Sequence, residues 1–180
     1  MSLIVALLGA ECTGKSTLTQ ALGQRLADLP AATVPEHLRH WCLSQDRTPR
    51  RLEQAHIAAE QQRQIQCAAA AHPVVVADTT ALMTALYSVH YFDDPSLMLG
   101  ALQSQRGVAL TLLCAPDGIP WQADGWLRDG EATRQRTHAE LADLLHAHRL
   151  PHETLRGALP DRLTQAEAWI RRRLASPGPG

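Results

Sequence analysis

Residues Gly9-Ala10-Glu11-Cys12-Thr13-Gly14-Lys15-Ser16 carry the spacing G-x-x-x-x-G-K-[ST]. Glycine at both ends permits backbone conformations closed to other residues. The N–H groups of such a loop can then converge on phosphate oxygens, beside the positive end of a helix dipole. In that chemistry Lys15 reaches the β- and γ-phosphates and Ser16 ligates Mg²⁺, while Thr17 extends the motif toward the α-phosphate. The chain has sixteen arginines and a single lysine, Lys15. A bias toward arginine codons explains the composition, and it singles out the position that kept lysine.

Two carboxylates have positions suited to the same chemistry. Asp78 ends the apolar run Pro73–Asp78. Ligands of open parallel sheets bind at the carboxyl ends of strands, so Asp78 could hold Mg²⁺ directly or through water. Its other reading is an N-cap for a helix starting at Thr79. Glu36 follows a shorter strand and could accept a proton from an attacking hydroxyl. Arg39, three residues on, shares a helical turn with it, so a solvated Glu36–Arg39 pair is the alternative.

The segment 115–130 is rich in proline, glycine, tryptophan and aspartate and reads as a loop or lid. Arg128, Arg134 and Arg136 lie in it or just after it. Arginines from a closing lid stabilise the charge that develops on a transferring phosphoryl group. Aromatic residues make up only 4% of the chain, yet Trp41 follows Glu36, Tyr87 and Tyr91 follow Asp78, and Trp121 lies in the lid. Such rings could stack on a flat heteroaromatic substrate, or simply pack in the core.

The elements that must position these groups alternate. Continuous apolar runs at Leu3–Leu8, Pro73–Asp78 and Val108–Cys114 predict strands buried on both faces. Ala32–Pro35 and His152–Leu155 are shorter candidates. Helical patterns cover Ser16–Leu29, Thr79–Tyr91, Glu131–His148 and Asp161–Leu174. A long helix runs to Ala71 with Thr48 as N-cap and Pro49 in its first turn. Asp94-Pro95 opens a short helix that stops at Gly107. The pattern predicts an α/β fold: a mostly parallel five-stranded sheet with helices on both faces, in one domain over 1–175, with a disordered tail at 176–180.

Composition narrows the function classes. Seventeen basic and eighteen acidic residues give a net charge of −1, which argues against a dedicated nucleic-acid binder. No apolar run is long enough to span a membrane. Cys12, Cys42, Cys67 and Cys114 are widely spaced and read as free thiols in a reducing cytoplasm. A nucleotide switch of the GTPase kind needs an [NT]-K-x-D motif, and the only lysine is already in the phosphate loop.

Taken in order, these stretches resemble a known family. Gly9 to Thr17 is similar to the G-x-E-[ST]-[ST]-G-K-S-T loop of the ribosylnicotinamide kinase domain in NadR-type NAD-salvage proteins. Pro35-Glu36-His37-Leu38-Arg39 resembles its P-E-x-x-R stretch. Asp78-Thr79-Thr80 with Tyr87-Ser88 and Tyr91-Phe92 resembles its D-T region. Ala115-Pro116-Asp117 to Pro120-Trp121, then Asp124-Gly125 and Arg128, resembles its lid, with Arg134 as the later arginine. Cys12 stands where that family has a small hydroxyl residue, and Gly118 and Trp126 are extra residues in the lid.

The resemblance implies a free-standing P-loop kinase. It implies ATP and Mg²⁺ on residues 9–17, with Lys15, Glu36, Asp78, Arg128 and Arg134 catalytic and Ser16 and Asp78 on the metal. It implies a small-molecule acceptor, nicotinamide riboside or similar, met by Glu36, Arg39, Trp41, Tyr87, Tyr91, Trp121 and Asp124. Trp41 and Tyr91 are its candidates for stacking on the pyridine ring. The product would be the 5′-phosphate, NMN. The alternatives are a kinase for another nucleoside or small metabolite, or a regulatory ATP-binding module without acceptor chemistry. A homo-oligomer is compatible with either.

Overall fold

The structure is a computed structural model, and it describes residues 2–123 and 130–175. Five strands form one wholly parallel sheet in the order β2-β3-β1-β4-β5. They are β1 (Leu3–Leu8), β2 (Ala31–Val34), β3 (Val74–Asp78), β4 (Leu110–Cys114) and β5 (Glu153–Leu155). The three long apolar runs became the three central strands. All five residues of β3 and of β4 are buried. Pro35, expected to end β2, falls outside it, since proline has no N–H for the ladder.

Alternation along β1 sorts two cores. Val5 and Leu7 face α1 (Lys15–Arg25) and α7 (Leu159–Ala175), packing on Leu18, Leu22, Ala166 and Ile170. Ala6 and Leu8 face the other layer, which includes α4 (Ala81–Phe92), α5 (Met98–Arg106) and α6 (Glu131–Ala147). α3 (Gln54–Ala71) covers the β2–β3 side through Ile65. Helices therefore cover both faces, as expected for a buried parallel sheet.

Several boundaries differ from the sequence reading, each for a local reason. A helix α2 (His37–Gln45) follows β2 where only a helical turn was expected. Thr48 and Pro49 do not start α3. A 3-10 turn at Arg51–Glu53 comes first, and the Glu53 carboxylate accepts from the Arg50 N–H at 2.7 Å. The same carboxylate takes both Arg47 Nη groups, at 2.8 and 2.6 Å, which fixes the chain reversal between α2 and α3. Asp94 does not open α5: its Oδ1 accepts from the Ser96 N–H and its Oδ2 from Arg51 Nε, so the helix begins at Met98. At α4 the N-cap is Thr80, whose hydroxyl accepts from the Leu82 N–H. Asp78 is thereby excluded as the cap. Residues 124–129, expected as part of a lid, and 176–180, expected as a tail, lie outside the described residues.

Strand register sets the site. Leu7 pairs with Asp78 and Val34 pairs with Ala77. Leu8 pairs with Leu113 on the other side. The carboxyl ends of β2, β3, β1 and β4 thus form one edge, and the connections leaving β1 and β3 run in opposite directions across the sheet. Clefts for ligands form at such an edge.

Candidate active site

The loop from Gly9 to Gly14 joins β1 to α1 at that edge. Gly14 is the N-cap of α1 with φ +78°, and it offers no side chain to the first-turn N–H groups. The first turn holds no acidic residue. An uncapped helix start with a lysine at its first position is built for an anion. Lys15 is 7% exposed, and its Nζ donates to the carbonyls of Gly9 at 2.9 Å and Ala10 at 2.8 Å. Two of its three donors thus brace the loop. Thr13 braces it again through a 2.8 Å bond from its hydroxyl to the Ala10 carbonyl.

Ser16 and Asp78 meet across the sheet edge. The Ser16 hydroxyl donates to Asp78 Oδ2 at 2.5 Å. Asp78 is 2% exposed, and its Oδ1 has no hydrogen-bond partner among the described residues. A buried carboxylate oxygen without a donor is costly unless a ligand satisfies it. Hard oxygen donors of this kind, one hydroxyl and one carboxylate, suit Mg²⁺. The residue after Asp78 adds strain. Thr79 holds φ +71°, unusual for a β-branched side chain, and its buried hydroxyl also lacks a partner among the described residues.

Glu36 joins this group from β2. Burial pushes its carboxyl above the ordinary glutamate range. The charges that act on it are those of Lys15, which opposes the rise, Asp78, which adds to it, then Arg39 and Glu11. Six of the residues singled out in the sequence therefore gather at one edge: Glu11, Lys15, Ser16, Glu36, Arg39 and Asp78. Glu36 is within electrostatic reach both of Arg39 and, through Lys15, of the phosphate loop.

Arg134 holds the segment that follows β4. It is 4% exposed, and its Nη1 donates to the carbonyls of Cys12 and Ile119, both at 2.9 Å. Its Nη2 pairs with Glu131 at 2.6 Å, and its guanidinium lies 5.7 Å from the Trp121 ring centroid. The Nε is buried and has no partner among the described residues. Beside it opens a cavity of about 500 Å³ lined by residues 116–120, Arg134 and Gln135. Cys12 touches the same strip: its thiol lies 3.6 Å from the Pro120 carbonyl and 3.4 Å from the Gln122 N–H. A second cavity, about 290 Å³ between α3, α4 and α5, is lined by glutamines and apolar groups with no ionisable side chain. It does not belong to the site.

The aromatic candidates divide. Trp121 joins the Arg134 cluster. Trp41 lies on α2 with the Arg47 guanidinium 4.8 Å from its ring centroid. Tyr87 and Tyr91 pair on α4 with centroids 6.0 Å apart, and Tyr91 is 48% exposed. Arg136 lies on the face of α6, where its Nη2 contacts His90. Arg128 and Asp124 lie outside the described residues.

Sequence reasoning missed one charged group. Arg162 on α7 is 1% exposed and donates to the Thr13 carbonyl of the phosphate loop. A signal was present: Arg162, Ala166 and Ile170 fall at four-residue intervals on the buried stripe of α7. An arginine on an apolar stripe is a residue to examine.

Among solved structures that share the fold are two of NadR proteins. One is a NadR protein solved in complex with NAD and AMP-PNP, at 20% identity and a TM-score of 0.71, covering 95% of this chain and 49% of that one. The other is a NadR protein solved in complex with NR, at 20% identity and a TM-score of 0.74, covering 95% of this chain and 50% of that one. At that identity the likeness is one of fold, and this chain spans about half the length of each. No curated protein sequence matches the chain. The sequence does match the AAA domain profile AAA_28 over residues 4–162, a span that reaches from β1 to Arg162, and the chain belongs to that AAA domain family.

Proposed function

We propose that this protein transfers a phosphoryl group from ATP to the 5′-hydroxyl of a small nucleoside-like acceptor, with nicotinamide riboside as the acceptor and NMN as the product. The observation that carries the reading is the meeting of Glu36 with Lys15 and Asp78 at one sheet edge. A phosphate loop alone serves switches, motors and regulatory modules. A second carboxylate, beside the Ser16–Asp78 pair but not engaged with it, is what an acceptor hydroxyl requires. The fold likeness to NadR proteins solved with NR and with AMP-PNP supports the same acceptor class.

In this reading residues 9–17 and Lys15 hold the phosphates of ATP, and Ser16 and Asp78 hold Mg²⁺. Bound there, ATP–Mg²⁺ would supply the phosphoryl group and neutralise its charge. Glu36 orients the acceptor hydroxyl and takes its proton, and the raised affinity of its carboxyl for protons suits that task near neutral pH. Arg39 lies within electrostatic reach of Glu36. The acceptor ring is held by aromatic faces, with Trp41 and Tyr91 as the candidates. Arg134 and the segment around Trp121 cover the phosphate loop and exclude water, which would otherwise compete with the acceptor.

The test is ADP release from ATP–Mg²⁺ with nicotinamide riboside, uridine, cytidine, adenosine, thiamine and pantothenate in parallel, against an acceptor-free control. Stimulation by nicotinamide riboside that is lost in Lys15→Ala and Glu36→Gln supports the reading. Stimulation by another acceptor keeps the phosphoryl chemistry and replaces the substrate. Tight nucleotide binding with no stimulation by any of them would point to a regulatory module instead.

A further inference from the structure

Arg162 donates to three main-chain carbonyls and to no carboxylate among the described residues. Its Nε meets the Gly157 carbonyl at 2.7 Å, Nη1 the Thr13 carbonyl at 3.2 Å and Nη2 the Asp117 carbonyl at 2.5 Å. Two glycines let these strands of backbone converge. A Cβ on Gly118 would lie 2.8 Å from the Gly157 carbonyl carbon, so the loops after β4 and β5 pack backbone to backbone. A guanidinium with a rigid fork of five N–H groups is the side chain that can bind three such carbonyls together.

One of the three belongs to the phosphate loop, and its peptide geometry matters. Every described peptide bond is trans. In a trans peptide the carbonyl of one residue and the N–H of the next point in opposite directions. Holding the Thr13 carbonyl against Arg162 therefore turns the Gly14 N–H away from α7. Arg134 does the same one residue earlier: it holds the Cys12 carbonyl, which turns the Thr13 N–H. Neither N–H donates to a protein acceptor among the described residues. With Lys15 on the carbonyls of Gly9 and Ala10, four carbonyls of the loop are held by cations. The N–H groups are left to face a common ligand, as in an anion-binding nest.

We propose that Arg162 is a positioning residue of the phosphate site, acting through the Thr13–Gly14 peptide to aim the Gly14 N–H at a bound polyphosphate. It does not touch the ligand. Its buried charge, which has carbonyls and no carboxylate for partners, also adds a positive field behind the loop. The inference rests on residues 9–17 being a polyphosphate site and is independent of the acceptor.

The test uses the full chain with Arg162→Lys and Arg162→Met, beside Arg134→Lys. Calorimetry measures binding of a non-hydrolysable ATP analogue and of inorganic tripolyphosphate, with no acceptor present. Arg162→Lys should weaken both probes by the same factor, about tenfold, since one aligned donor is lost. The Gly14 amide resonance should shift in Arg162→Lys and the Thr13 amide in Arg134→Lys, each in the free protein. A folded Arg162→Lys that binds tripolyphosphate like the wild type, or leaves the Gly14 amide unmoved, overturns the proposal. If Arg162→Met fails to fold, Arg162→Lys carries the test, because it keeps the charge and one donor. A purely structural role would lower the melting temperature and leave the affinity of the folded protein unchanged. Wild-type protein that binds neither probe overturns the phosphate-site reading and this proposal with it. Loss of the nicotinamide riboside reading alone changes none of these measurements.

Discussion

Replacing Gly9 with alanine puts a methyl group where the structure has no room for one. The added Cβ would lie 2.7 Å from the Cys114 carbonyl oxygen, 2.8 Å from the Thr13 hydroxyl and 3.2 Å from the Cys114 Cβ. The first and third contacts belong to β4, a central strand with every residue buried, so β4 cannot retreat. The Thr13 hydroxyl is tied to the Ala10 carbonyl. Carbon–oxygen contacts settle near 3.3 Å, so the entrance of the phosphate loop must back off by about 0.6 Å. Overpacking of this kind costs about 1–3 kcal/mol. For a chain of this length that is a fall in Tm of about 2–12 °C. The same shift carries loop N–H groups off a bound phosphate, and loss of one hydrogen bond to a charged group should weaken ATP-analogue binding about tenfold. Thermal melting and calorimetric titration of Gly9→Ala measure the two effects separately. A variant that melts with the wild type and binds the analogue as tightly would refute the packing of Gly9 against β4.

Further outcomes are expected for Glu36 and Asp78. Glu36→Gln should lower kcat by about 10²–10⁴-fold, the usual contribution of a general base. It should also stabilise the protein at neutral pH, because the native fold raises the pKa of Glu36. A carboxyl raised on folding loses stability as pH rises from its unfolded value through its folded one. The advantage of the glutamine variant should therefore be full above the folded pKa and vanish below about pH 4.5, which melting curves across pH will show. In the wild type, the acid limb of kcat should sit above the ordinary glutamate range, and an acid limb at or below that range would count against Glu36 as the base. Asp78→Asn removes the negative charge beside Ser16 and leaves one carbonyl oxygen where the carboxylate offered two. Mg²⁺ should then strengthen ATP-analogue binding about 10–100-fold less than in the wild type, with metal-free binding retained, as titration with and without Mg²⁺ will show.

Local chemistry wrote much of this molecule into its sequence. Three continuous apolar runs specify buried parallel strands, because strands covered on both faces need no polar side. The spacing from Gly9 to Ser16 specifies a phosphate loop, because the conformational freedom of glycine and the reach of lysine act within eight residues. Boundaries set by side-chain hydrogen bonds were less legible. The turn into α3 depends on Glu53 serving both Arg47 and the Arg50 N–H, and α5 waits for Met98 because Asp94 is engaged elsewhere.

What the tertiary structure decided is which distant groups meet. Glu36 lies near Lys15 and Asp78 because β2 pairs with β3 in a register that aligns Val34 with Ala77 and Leu7 with Asp78. Read singly, Asp78 was either a metal ligand or a helix cap; the structure gives the cap to Thr80 and sets Asp78 against Ser16. Arg162 stands 149 positions from Thr13. Its four-residue spacing from Ala166 and Ile170 marks a buried stripe of α7, but only packing brings that stripe against the phosphate loop. The sequence determined the phosphate loop as a chemical device; the packing of α6 and α7 behind it determined which way its peptides point.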